Sequence, residues 1–117
     1  MHADCSAPAL VAPYNSWANR IATLRFVEDI PLAQGDPSFH LLQQVEKRLP
    51  VLADKPLLIC WGARDFVFDI DYYNEWRRRY PRAEAYLYKD AGHYILEDVP
   101  AAVTDRIKRF LENNPLD

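Results

Sequence analysis

The sequence predicts an α/β fold built on a parallel sheet. Two short apolar runs of strand length, residues 57–61 and 84–88, are preceded, separated and followed by helical patterns. Strands alternating with helices favour a parallel sheet with helices packed on it. The first run is continuously apolar and bounded by Pro56 and Gly62, the pattern of a strand buried on both faces. Parallel strands joined by a crossover end on the same sheet edge, where open α/β sheets bind ligands.

Each element has a local cause. Residues 1–13 hold Pro8 and Pro13, show no period and read as an irregular lead-in. From Tyr14, apolar residues Trp17, Ile21, Leu24 and Val27 recur at helical spacing, with Asn15 or Ser16 as cap and Pro31 as terminator. Residues 33–37 form a turn. Asp36 as N-cap and Pro37 in the first turn open a second helix with apolar face Leu41, Leu42, Val45 and Leu49. A connection over residues 50–55 leads into the first strand. A loop over residues 62–69 and a helix over roughly residues 71–80, ended by Pro81, lead to the second strand. A second loop, residues 89–98, precedes a last helix. Asp98 is its expected cap, Pro100 lies near its first turn, and Val103, Ile107, Phe110 and Leu111 form its buried stripe.

Composition excludes several function classes. Of 117 residues, 50% are hydrophobic and 26% charged, which suits a folded domain rather than a disordered chain. A net charge of −3 gives no basic face for nucleic acid. Arg77-Arg78-Arg79, with Glu75 before it, reads as a solvated helix side. Cys5 and Cys60 lie in unlike settings, one in the lead-in and one in an apolar strand, so no disulfide framework is expected. No apolar stretch approaches the ~20 residues of a membrane span, and no secretory signal is read at the N-terminus. A cytoplasmic protein is expected. No glycine-rich phosphate loop and no metal-ligand spacing occur, so no cofactor or metal is expected. His40 and Trp61 read as a surface residue and a packing residue.

The two loops after the strands carry the residues suited to chemistry. The first, Trp61-Gly62-Ala63-Arg64-Asp65, presents a carboxylate. The second, Asp90-Ala91-Gly92-His93, presents an imidazole after a glycine that would let the chain turn sharply. A carboxylate beside an imidazole fixes its tautomer and stabilises the imidazolium formed in turnover. Taken alone, an Asp in a loop is usually a turn former and a lone His usually structural. Their placement on one sheet edge, acid before His, points to chemistry.

Residues 56–65, Pro-Leu-Leu-Ile-Cys-Trp-Gly-Ala-Arg-Asp, resemble the penultimate strand and acid loop of α/β-hydrolases. Residues 91–100, with Gly92-His93 followed by Glu97-Asp98-Val99-Pro100, resemble the histidine loop of the same fold. Residues 12–32 are similar to the segment where the cap rejoins the core in haloalkane dehalogenase-like hydrolases, a group that includes the β-lactone decarboxylases of bacterial olefin synthesis. The resemblance implies the C-terminal part of an α/β-hydrolase fold: its two last parallel strands with flanking helices, preceded by the end of a helical cap. It divides the chain into residues 1–32, lead-in and cap-to-core helix, and residues 33–117, core. It assigns Asp65 as catalytic acid and His93 as catalytic base, in the family's order of nucleophile, acid, His.

One departure is plain. Ser6, Ser16 and Ser38 do not sit between glycines, and Gly35, Gly62 and Gly92 are far apart, so neither G-x-S-x-G nor G-x-D-x-G occurs. The expectation is therefore a C-terminal portion of such an enzyme, inactive alone. In the full enzyme an Asp nucleophile would form an alkyl ester that His93-activated water hydrolyses. The expected partners are the N-terminal half of the hydrolase or a second copy, and a small hydrophobic substrate. The alternative is a non-catalytic truncated or split-gene product acting only as an association module.

Overall fold

The computed structural model describes residues 11–115. Cys5, His2, Ser6 and most of the expected lead-in lie outside the described residues. The chain divides after Arg48 into two compact units.

In the first unit, a 3-10 turn at Ala12–Tyr14 leads into helix α1 (Trp17–Glu28), and helix α2 (Phe39–Arg48) follows. Ser16 caps α1, its Oγ accepting from Asn19 N at 3.3 Å, which satisfies one of the helix's orphan donors. Asn15 accepts instead from the Asn19 side chain at 2.8 Å. Asp36 does not cap α2. Its carboxylate turns back and accepts from Leu32 N and Ala33 N at 2.7 and 2.8 Å. Pro37 offers no N–H ahead of it, and the helix begins only at Phe39. The apolar residues Trp17 and Val27 of α1, and Leu41, Leu42 and Val45 of α2, are exposed. His40 is also exposed and shares a hydrogen bond of 2.8 Å with Gln44.

The second unit holds the sheet. A 3-10 turn at Leu49–Leu52 is followed by β1 (Leu58–Gly62), α3 (Ile70–Arg79), β2 (Glu84–Tyr88), the short α4 (Ile95–Asp98) and α5 (Pro100–Asn113). β1 and β2 pair in parallel, with Leu58 opposite Glu84 and Gly62 opposite Tyr88. Asp69 caps α3, accepting from Asp71 N at 3.0 Å. On α3, Glu75 accepts from Arg78 Nε at 2.7 Å and Arg79 Nε at 2.6 Å. The Arg78 and Arg79 hydrogen bonds hold its carboxyl down to about 2. Arg78 is thus solvated and paired as expected, whereas Arg79 is paired but part-buried and Arg77 lies over the Tyr73 ring at 5.6 Å.

Helices cover both faces of the strand pair. Trp61 on one face packs against Tyr73 of α3, with ring centroids 6.4 Å apart. On the other face Arg106 of α5 lies over the Tyr86 ring at 3.8 Å, a cation–π contact. Tyr73, Tyr80, Ala91 and Val103 form the buried core, and Tyr80 Oη donates to Leu49 O at 2.8 Å. The buried stripe of α5 differs from the expected one. Val103 is 2% exposed, but Ile107 and Leu111 face outward. An arginine can sit against the sheet because Tyr86 offers a π-face and Tyr88 a hydroxyl partner. β1 is only half-buried apart from Gly62, since this sheet has two strands. An apolar groove of about 260 Å³, lined by Leu52, Leu58, Cys60, Trp76 and Tyr80 among others, borders it.

Val103→Ala should lower unfolding free energy by about 2 kcal/mol, the burial worth of a valine side chain plus a small cavity. Ile107→Ala should cost well under half of that. Urea unfolding of both variants checks the order, and a larger loss at Ile107 would restore the stripe expected from the sequence.

Candidate active site

The loop after β1 and the loop after β2 meet because Gly62 has no side chain. A Cβ at Gly62 would stand 2.6 Å from Ala91 O and closer still to Gly92 O. Hydrogen bonds then join the two loops: Ala63 N donates to Tyr88 O at 2.9 Å, and Arg64 N donates to Ala91 O at 2.9 Å. Arg64 also pairs with Asp90 at 2.6 Å. Ala91, at this junction, is fully buried. The constraint lies at Gly62 rather than Gly92. No glycine has a positive φ among the described residues, and a Cβ on Gly92 would meet nothing closer than 3.5 Å.

This junction brings Asp65 and His93 together across 28 residues of sequence. His93 Nδ1 lies 3.2 Å from Asp65 Oδ1 and 3.1 Å from Oδ2. Both oxygens only accept when ionised, so Nδ1 carries the proton and donates, leaving Nε2 with its lone pair. Among the described residues no group hydrogen-bonds to Nε2.

Asp65 is held more firmly than His93. Asp65 Oδ1 accepts from Val67 N and Phe68 N, each at 2.9 Å. Its side chain is 8% exposed, against 31% for His93. Burial pushes the Asp65 carboxyl up, but the hydrogen bonds from Phe68 N, His93 and Val67 N outweigh it and hold the group below the usual carboxylate range. Trp61 braces the same loop, its indole N–H donating to Phe68 O at 2.9 Å. It is therefore more than the packing residue expected. The Phe68 and Tyr94 rings flank His93 at 5.6 and 5.3 Å.

Asp98 does not cap α5. Val99 occupies that position without a side-chain bond, and Pro100 starts the helix. The Asp98 carboxylate turns back and accepts from Gly92 N at 2.7 Å. The sequence reading thus missed Gly62, the Trp61 indole, the Arg64–Asp90 pair and the Asp98–Gly92 bond. The only available signal was a glycine between the strand's Trp and the acid loop.

Other candidates have structural roles. Ser16 caps a helix, and Ser38 Oγ donates to Asp29 at 2.7 Å. Cys60 is a free thiol near the Tyr88 hydroxyl. Burial pushes it up, against the lowering effects of Tyr88 and Arg106. Among the described residues no three His, Cys, Asp or Glu side chains group as metal ligands. None of their helices is long and apolar enough to cross a membrane.

A parallel strand pair with an acid and a histidine on adjoining loops at one edge is an α/β-hydrolase arrangement. The family model described as "alpha/beta hydrolase fold" matches residues 4–100, and the chain belongs to that family. It is 52% identical over 103 residues to the cis-3-alkyl-4-alkyloxetan-2-one decarboxylase of Shewanella oneidensis, covering 88% of this chain and 32% of that protein. It is 46% identical over 108 residues to the protein of the same name from Xanthomonas campestris pv. campestris, covering 92% of this chain and 36% of that one. An oxetan-2-one is a β-lactone, so the narrower resemblance in the sequence also holds. The chain spans about a third of the length of these curated relatives.

The depressed Asp65 carboxyl makes stability pH-dependent. The unfolded chain takes up a proton near the ordinary value of about 3.9, whereas the folded chain resists it. The stabilising increment is therefore complete above about pH 4 and is lost as pH falls through the lower folded value. Urea midpoints between about pH 2 and 6 should fall less steeply in Asp65→Asn than in the parent chain. Equal acid slopes would show that the carboxylate is not held in this way.

Proposed function

We propose that this chain contributes the acid and the base of a catalytic triad in a β-lactone-cleaving α/β-hydrolase. The observation carrying the reading is the Asp65–His93 hydrogen bond at a parallel-strand edge. In this reading Asp65 fixes the Nδ1–H tautomer and stabilises imidazolium, while His93 Nε2 accepts and returns the proton in turnover. The substrate class is a small ring bearing two alkyl chains. Decarboxylation of such a 3,4-dialkyl oxetan-2-one releases the ring carboxyl as CO2 and leaves the two remaining ring carbons joined as an alkene. No nucleophile elbow occurs in this sequence, so the nucleophile comes from the N-terminal portion of the hydrolase. That portion also supplies the strand that covers the open edge of β1 and its apolar groove. In its absence, unpaired backbone and exposed apolar side chains favour pairing with a second copy. A reducing, cytoplasmic setting fits the free Cys60 thiol.

The chain alone should release no CO2 from a cis-3,4-dialkyl oxetan-2-one above background. Refolded with the N-terminal two thirds of the Shewanella relative, it should gain turnover. His93→Ala should abolish that turnover, and Asp65→Asn should reduce it by about 10⁴-fold, the loss typical of a triad left with the wrong tautomer. Turnover indifferent to His93→Ala would defeat the assignment. Sustained absence of turnover from a well-formed complex would favour the association module.

Assembly gives a separate test. Sedimentation at micromolar concentration should show the chain larger than a monomer when alone, and a one-to-one complex once the N-terminal portion is added. A monomer with cooperative unfolding would show that residues 49–117 close their own core.

A further inference from the structure

The backbone on either side of His93 is tied to a single residue. Asp98 Oδ2 accepts from Gly92 N at 2.7 Å, and Asp98 N donates to Tyr94 O at 3.0 Å. Gly92 and Tyr94 are the two neighbours of His93 in the chain. The segment from residue 92 to residue 98 is thereby closed on itself, with the histidine at its apex. A second donor, Glu97 N, reaches Tyr94 O at 2.8 Å, and both far-side bonds are backbone bonds that do not depend on the side chain at 98. On the near side, the one hydrogen bond at Gly92 itself among the described residues is to the Asp98 carboxylate.

A short carboxylate in this position is not explained by helix capping, because Val99 holds the cap position of α5 without a side-chain bond. Nor is it in an ion pair among the described residues; Arg64, at the loop junction, pairs with Asp90 instead. Its specific work is to accept from the amide preceding His93. A charge-assisted bond from a backbone N–H to a carboxylate is about twice as strong as a neutral one. Asp65 is fixed by its own loop amides, whereas among the described residues the His93 ring has one hydrogen-bond partner, Asp65, and otherwise the flanking Phe68 and Tyr94 rings and the shape of its loop to orient it.

We propose that Asp98 is the positioning residue for His93, closing the histidine loop so that Nδ1 meets Asp65. This role rests on the Asp65–His93 pairing proposed above. Among the described residues the Asp98 carboxylate makes no hydrogen bond to the imidazole, and it acts through Gly92 N. Its effect is on the orientation and tautomer of the imidazole, not on the fold of the strand pair.

Nitrogen-15 NMR of the imidazole, in the chain as it stands, reads the tautomer directly. The parent chain should show His93 mainly as the Nδ1–H form, and Asp65→Asn should remove that preference. Asp98→Ala should lower the ratio of Nδ1–H to Nε2–H form by about tenfold, the worth of one well-placed hydrogen bond. Asp98→Asn keeps an acceptor oxygen in place and should restore most of the ratio. Asp98→Ser, whose hydroxyl is too short to reach Gly92, should behave like Ala and replaces it should Ala fail to fold. If the parent chain shows no preference that Asp65→Asn removes, the pairing itself fails, and this role with it. If the preference is present but unchanged in folded Asp98→Ala or Asp98→Ser, the pairing stands and the role of Asp98 is overturned.

Discussion

The site depends on the missing side chain of Gly62. Two loops can approach to backbone hydrogen-bonding distance only where nothing projects between them. At this crossing a single methyl group would overlap the carbonyls of Ala91 and Gly92. The amides of Ala63 and Arg64 then find acceptors in Tyr88 and Ala91, and buried polar backbone is satisfied rather than stranded. β1 ends at this glycine, so the acid loop departs from the sheet at the point of contact. The separation between Asp65 and His93 is set by this backbone contact before either side chain takes part.

The chemistry inherits an asymmetry from that junction. The acid is nearly enclosed, with two loop amides and the imidazole on one carboxylate and an indole bracing the loop behind it. The histidine is more open, with one ring nitrogen facing the acid and the other unpartnered among the described residues. A fixed carboxylate and an accessible imidazole suit the roles proposed for them: the carboxylate stays ionised and takes no proton, while the imidazole must reach a substrate. The same strand that delivers Asp65 also leaves one edge unpaired. The Asp65–His93 pair and the open edge of the two-stranded sheet are therefore two consequences of one element, β1.

The strands, helices and paired loops were legible in the sequence because their causes are local. Pro56 and Gly62 bracket an apolar run, Pro81 follows the end of α3, and β2 occupies the residues its aromatic pattern marked. Asp65 and His93 were legible because acid and histidine loops follow the two strands in a recognisable order. The misreadings share a different cause. Asp36 and Asp98 both precede a proline near a helix start, which suggests capping, yet both carboxylates turn back to amides behind them. A helix stripe counted in apolar residues leaves out Arg106, because the aromatic face that accepts it belongs to strand β2. Gly92 stands beside His93 in the sequence, whereas the steric constraint acts at Gly62, thirty residues away and visible only once the loops are opposed. Partners chosen across the fold leave no mark in local sequence.

Hydrogen exchange at the Arg64 amide, compared between the parent chain and Gly62→Ala, tests this dependence most directly. That amide bonds across the junction to Ala91 O and opens only when the loops part. In the parent chain it should be protected. In Gly62→Ala its exchange should accelerate by about tenfold or more, the equivalent of one lost backbone hydrogen bond, while amides within α5 keep their protection. Undiminished protection at Arg64 in a folded Gly62→Ala chain would contradict the account, because the two loops would then meet without the space that Gly62 provides.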